Sequence, residues 1–205
     1  TDSDGPHTYK VYCNDSSGNF GSTSQRTITF DTTAPTISYV SPTDPDGVTV
    51  GRDWTYVNVT LDESGDTCLL EWDGVNESMS GSGTNWYKNK TDSDGPHTYR
   101  VYCNDSSGNL GSTSQRTITF DTTAPTISYV SPTDPDGVTV GRDWTYVNVT
   151  LDESGDTCLL EWDGVNESMS GSGTNWYKNK TDSDGPHTYK VYCNDSSGNF
   201  GSTSQ

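Results

Sequence analysis

Apolar positions in this chain recur every second residue, not every third or fourth. From Tyr56 to Leu61, Val57, Val59 and Leu61 alternate with Asn58 and Thr60. That period places one set of side chains on one face of a half-buried strand. Thr67 to Trp72 puts Cys68, Leu70 and Trp72 on one face. Tyr99, Val101 and Cys103 alternate in the same way, as do Ile118 and Phe120. Ile37 to Pro42 reads as a first strand, closed by Pro42 and the turn Asp44-Pro45-Asp46-Gly47. Trp86 and Tyr87 mark a middle strand. The pattern predicts six or seven short strands with turn signals at sandwich spacing and no helical period. The expected fold is all-β, an immunoglobulin-like or fibronectin-III-like sandwich.

The pattern also repeats. TDSDGPHTY begins at Thr1, Thr91 and Thr181, a period of 90 residues. The copies differ at Lys10, Arg100 and Lys190, and at Phe20, Leu110 and Phe200. Residues 1–30 read as the C-terminal part of one repeat, 31–120 as a complete repeat, and 121–205 as a repeat without its last strand. Donating the first piece to the last would duplicate a strand, so this phase reads as a window on a longer array. The segments DTTAPTISYVSPTD, NVTLDESGDTCLLEWDG and GPHTYRVYCNDSSGN resemble the immunoglobulin-like repeats of archaeal and bacterial surface proteins. That resemblance implies an extracellular place at the cell surface and a role in a filament, stalk, surface layer or adhesin.

Composition changes the picture in one respect. A net charge of -18 with 28% hydrophobic residues leans toward disorder, yet 11% of residues are aromatic. Aromatic side chains bury much area each and favour strands, so small folded domains with an acidic surface are expected. The charge argues against nucleic acid and against an anionic membrane surface, and no apolar run is long enough for a membrane span.

The five cysteines alternate at spacings of 55 and 35 residues. Cys68 and Cys103 fall on inward faces, which predicts bridges Cys68–Cys103 and Cys158–Cys193. Cys13 is left over, with its partner expected upstream. A bridge closing a loop of this size stabilises by about 3–4 kcal/mol and requires an oxidising compartment. The competing reading is a set of free buried cysteines. No Cys-x-x-Cys or nearby His supplies further zinc ligands.

Asn-x-Ser/Thr occurs at Asn14, Asn58, Asn76, Asn89, Asn104, Asn148, Asn166, Asn179 and Asn194. N-linked glycans are therefore expected partners, against the plainer reading that Asn and Ser serve turns. Acidic loops raise a further expectation. Asp44, Asp46, Asp92, Asp94 and Asp121 should meet Asp152, Glu153, Asp156 and Asp195 at a junction between repeats, where like charges repel unless neutralised. Ca²⁺ is the hard cation that takes six to eight oxygens from such loops, and no other cofactor is called for. The plainer reading is Asp-Gly turns facing water.

Trp72 reads as core, while Trp54 and Trp86 have polar neighbours and could face sugars. Tyr99 resembles the corner tyrosine of sandwiches, whose hydroxyl bonds nearby backbone. His7, His97 and His187 each follow Pro in a loop and read as surface residues. No nucleophile motif or phosphate loop is present, so enzyme activity is not expected. The leading functional reading is a structural repeat whose partners are neighbouring copies. The alternative is an adhesin module binding carbohydrate or protein through exposed Trp and Tyr.

Overall fold

The computed structural model describes residues 3–204. Its contacts divide the chain into two compact units. One comprises Thr1–Asp46, Thr55–Lys90 and His97–Thr117; the other comprises Gly47–Trp54, Thr91–Pro96 and Ile118–Gln205. The fold is all-β, and the described residues contain no helix.

The first piece contains β1 (Gly5–Tyr9), β2 (Tyr12–Asn14), β3 (Phe20–Ser22) and β4 (Arg26–Phe30). The next copy contains β5 (Ile37–Val40), β6 (Val48–Val50), β7 (Trp54–Trp72), β8 (Val75–Ser78), β9 (Ser80–Thr91), β10 (Gly95–Asp105), β11 (Leu110–Ser112) and β12 (Arg116–Phe120). The last copy contains β13 (Ile127–Tyr129), β14 (Trp144–Trp162), β15 (Val165–Ser168), β16 (Ser170–Thr181), β17 (Tyr189–Asp195) and β18 (Phe200–Ser202).

Two of the expected strands are one. Tyr56–Leu61 and Thr67–Trp72 join into β7, and the same holds for β14. The two halves of this long strand serve different partners. In the last copy, the first half of β14 pairs with β13 and β16, and the second half pairs with β15 and β17. Side chains from both halves meet in one core of Ile127, Val147, Val149, Leu151, Cys158, Leu160, Trp162, Met169, Trp176, Val191 and Cys193. One long strand, with a register irregularity near Gly155, thereby carries both sets of partners in a single sheet. Val57, Val59, Leu61, Cys68, Leu70 and Trp72 are buried in the earlier copy, as the alternation predicts; Trp86, which could have faced sugars, is buried as well.

Cys68 is bonded to Cys103 and Cys158 to Cys193, each across a separation of 35 residues. The bonded residues stand directly opposite one another in register, so each bridge staples neighbouring strands of one layer. Cys13 is free and exposed.

Two expectations fail on packing. Tyr99 does not bond backbone through its hydroxyl, which is buried without a hydrogen-bond partner. Its ring is stacked on Trp72 with centroids 5.7 Å apart, and burial pushes its pKa up to about 12. Tyr39 takes the backbone role: its hydroxyl lies 2.8 Å from Thr113 Oγ1 and donates to Ser114 O. His97 is not a surface residue. It is buried, stacked on Trp72 at 5.2 Å and 2.7 Å from Asp73 Oδ2.

Candidate functional site

The acidic loops do their chemistry on the linker. Phe120 ends β12, and residues 121–126 read Asp-Thr-Thr-Ala-Pro-Thr. Pro125 fixes its own φ and keeps Ala124 extended, so this stretch cannot coil into a helix. Its backbone donors then need partners. In the second unit, Asp94 accepts from Thr122 N at 2.9 Å, from Thr122 Oγ1 at 2.9 Å and from Thr123 Oγ1 at 2.8 Å. The Thr122 amide and the Thr123 hydroxyl hold the Asp94 carboxyl below the usual carboxylate range.

The other side of the linker is held as well. Asp121 Oδ2 accepts from Ser197 Oγ at 2.7 Å, and Asp121 O accepts from Asn199 Nδ2 at 2.8 Å. Asp195 fixes that loop by accepting from the amides of Ser197 and Asn199 and from Asn199 Nδ2. Gly51 lies against the same loop: a Cβ built there would sit 2.2 Å from Ser197 O. Only glycine permits this approach. The first unit repeats the clamp. Asp4 accepts from Thr32 N, Thr32 Oγ1 and Thr33 Oγ1, while Asp31 accepts from Ser107 Oγ and, through its carbonyl, from Asn109 Nδ2.

Three carboxylates converge beside each clamp. Asp121, Glu153 and Asp195 offer oxygens within 4.8 Å of one another, and so do Asp31, Glu63 and Asp105. Asp105 and Asp195 are each only 2% exposed. Glu153 is pushed up by desolvation and then by the charges of Asp121, Asp195 and Asp152; Glu63 is pushed up likewise. Such a trio can take up a hard cation or a proton, either of which relieves the repulsion.

The remaining residues of the expected acidic junction are engaged elsewhere. Asp44 accepts from Thr55 Oγ1, Asp46 from Thr117 N, Asp152 from Thr126 N, and Asp92 from Ser93 N. The clamp partners Ser107, Asn109, Ser197 and Asn199 were not singled out from sequence. Asn-Asp-Ser-Ser-Gly-Asn has the composition of an Asx turn, which was the available signal.

The nine sequons differ in presentation. Asn14, Asn76, Asn89, Asn166 and Asn179 are exposed, while Asn58, Asn104, Asn148 and Asn194 are half-buried. The Oδ1 atoms of Asn58 and Asn148 are buried without a partner. Asn104 and Asn194 donate through Nδ2 to the carbonyls of Asp105 and Asp195.

Similar solved structures include fibronectin(III)-like modules of Clostridium thermocellum CbhA. They are 14% identical, at TM-score 0.42, over 80% of this chain and 88% of that one. A bacterial ice-binding adhesin is 20% identical, at TM-score 0.41, over 98% of this chain and 72% of that one. A structure of Rst D1-D2 is 9% identical, at TM-score 0.46, over 82% and 96%. No protein-family model matches the chain. No curated protein matches it either.

Proposed function

We propose that this chain is a structural repeat of an extracellular surface filament or stalk, built from disulfide-bridged and N-glycosylated immunoglobulin-like domains that partner neighbouring copies. The observation that carries this reading is the linker clamp. A free tether needs no side chains on its backbone, whereas this segment is hydrogen-bonded on both sides within its own unit, and the arrangement recurs 90 residues earlier in the other. The disulfides fit an oxidising compartment. The adhesin alternative draws on the exposed Trp54 and Tyr87.

Solution scattering tests the clamp. Asp94→Ala removes the acceptor for Thr122 and Thr123 and is expected to broaden the distribution of interatomic distances, with strand content unchanged by circular dichroism. An unchanged scattering profile would mean that these hydrogen bonds do not restrain the linker, and would sink the reading. Calcium belongs to the same proposal, at Asp31, Glu63 and Asp105 and at Asp121, Glu153 and Asp195. Adding Ca²⁺ should raise the melting temperature by a few degrees over chelator. Glu63→Gln with Glu153→Gln should abolish that response and stabilise the chelated protein, because each substitution removes a carboxyl that desolvation and neighbouring carboxylates disfavour in its charged form. A calcium response that survives both substitutions would move the site elsewhere.

A further inference from the structure

We propose that Asn179, and its counterpart Asn89, carry N-linked glycans whose first sugars lie on an aromatic cradle of the sheet face around them. This rests on the extracellular, glycosylated reading above and adds which sequon is built for a sugar.

The register places the cradle. Antiparallel pairing of β14 with β16 sets Trp144 opposite Thr181, Tyr146 opposite Asn179 and Asn148 opposite Tyr177. Directly opposed side chains share a face with Cβ atoms about 5 Å apart. Residues two apart on one strand share it too. Asn179 is therefore bordered by Tyr146 across the ladder, by Tyr177 and Thr181 along its own strand, and diagonally by Trp144. All five residues are exposed. Trp144 and Tyr146 already pack edge to face, with centroids 5.2 Å apart.

The same strand clears the other side. Lys178 and Lys180 both pair with Glu167, and Lys180 lies 5.7 Å from the ring of Trp162. Trp162 is a core residue, so the lysines project away from the face that Asn179 occupies. The Asn179 side chain has no hydrogen-bond partner among the described residues. Its nitrogen is open to substitution, and Thr181 of the sequon stands on the same face.

Exposed aromatic clusters with polar rims mark binding surfaces. A pyranose presents a face of C–H groups that covers an aromatic ring, while its hydroxyls stay hydrated. Tyr and Trp suit such a contact because they combine an apolar body with a polar tip. A glycan attached at the centre of this face needs no second binding partner to reach it. The other exposed sequon of the last copy lacks this setting: Asn166 stands opposite Glu161. In the earlier copy, Asn89 again shares β9 with exposed Tyr87, and Tyr56 is exposed on β7, which pairs with β9.

Glycopeptide mapping with hydroxyl-radical footprinting of the native protein tests this directly. Sugar is expected on Asn179 and Asn89. Asn179→Gln should raise oxidation of Trp144, Tyr146 and Tyr177 several-fold, and Asn166→Gln should leave those rates unchanged. Sugar at Asn166 with Asn179 bare would overturn the cradle and keep the glycoprotein reading. Sugar at none of the sequons would overturn both. Sugar at Asn179 with an unchanged footprint would show a glycan that does not touch the rings, and would also overturn the cradle.

Discussion

Residues 31–120 and 121–205 carry almost one sequence, yet matching residues differ in strand structure and burial between the two. The earlier copy has β12, and β12 pairs in parallel with β6, setting Ile118 opposite Val48 and Phe120 opposite Val50. Among the described residues, no strand matching β12 follows β18. There, residues 138–140 form no strand, and the strand matching β10 starts only at Tyr189. Tyr99 and Thr55 are buried, whereas Tyr189 and Thr145 are half-buried. A groove lined by Tyr129, Thr133, Asp134, His187 and Tyr189 lies open. In the earlier copy, Arg116 covers the ring of Tyr39 at 4.1 Å and donates to Asp44 O. The comparison separates what a sequence does locally from what its neighbours impose. Val48–Val50 is a strand because β12 pairs with it, and the same residues without that partner are not.

The largest effect should come from the strand that differs. Phe120 is 1% exposed and Phe30, its counterpart in the first piece, is 40% exposed. Phe120→Ala is expected to cost about 3–5 kcal/mol, whereas Phe30→Ala should cost about 1 kcal/mol or less. Denaturant unfolding followed by hydrogen exchange would show the loss in β6, β10 and β12 and little change in β14. Equal costs at the two sites would mean that burial by neighbouring strands is not what distinguishes the copies.

Much of the core was legible because alternation is a local signal. Val57, Val59, Leu61, Cys68, Leu70 and Trp72 follow from a period of two and nothing else. The missed strands β6, β8 and β11 have three or four residues each, too few to show a period. For β8 a signal was present: Asp73 and Gly74 both adopt positive φ, the Asp-Gly hairpin turn. His97 and Tyr99 were misread because their surroundings come from Trp72, far away in sequence. The clamp was half visible. Asp121, Asp94 and Asp195 were singled out for their charge, but their threonine, serine and asparagine partners depend on strand order. The cradle around Asn179 depends on cross-strand register, which no single segment encodes.

The disulfides offer the next comparison. Both bridges join opposed residues of one layer, so removing either pair should cost a similar amount, about 3–4 kcal/mol. The copies should nonetheless differ in what remains. Cys158→Ala with Cys193→Ala acts where β17 starts only at Tyr189, and exchange protection of β14 to β17 should fall to that of exposed segments. Cys68→Ala with Cys103→Ala should leave β10 protected, because β12 still lies beside it in the sheet. Non-reducing peptide mapping with hydrogen exchange measures both. If the earlier copy loses protection first, β12 contributes less than its burial implies.

The smallest effect concerns one histidine in two settings. His187 Nδ1 lies 2.7 Å from Asp163 Oδ2 and its Nε2 lies 2.8 Å from Ser183 O. Two acceptors favour the ring with both nitrogens protonated. The bond to Asp163, and then the one to Ser183, hold the His187 pKa above its ordinary value. A group with a raised folded pKa stabilises fully below its unfolded pKa, near 6.5, and loses that contribution as pH rises through the folded value. Asp163 is held below the carboxylate range, chiefly by His187, so its contribution disappears only in acid, as pH falls through the lowered value. The pair therefore stabilises most between those limits. His187→Gln should lower the urea midpoint at about pH 5.5 and hardly change it at about pH 8.5. His97 is buried, and its ring is stacked on Trp72. His97→Gln should therefore lower the midpoint at both pH values, because the ring stacked on Trp72 is lost whatever its charge. A His187 effect independent of pH would show that its ring, like that of His97, acts by packing, and the two copies would then be alike at this corner.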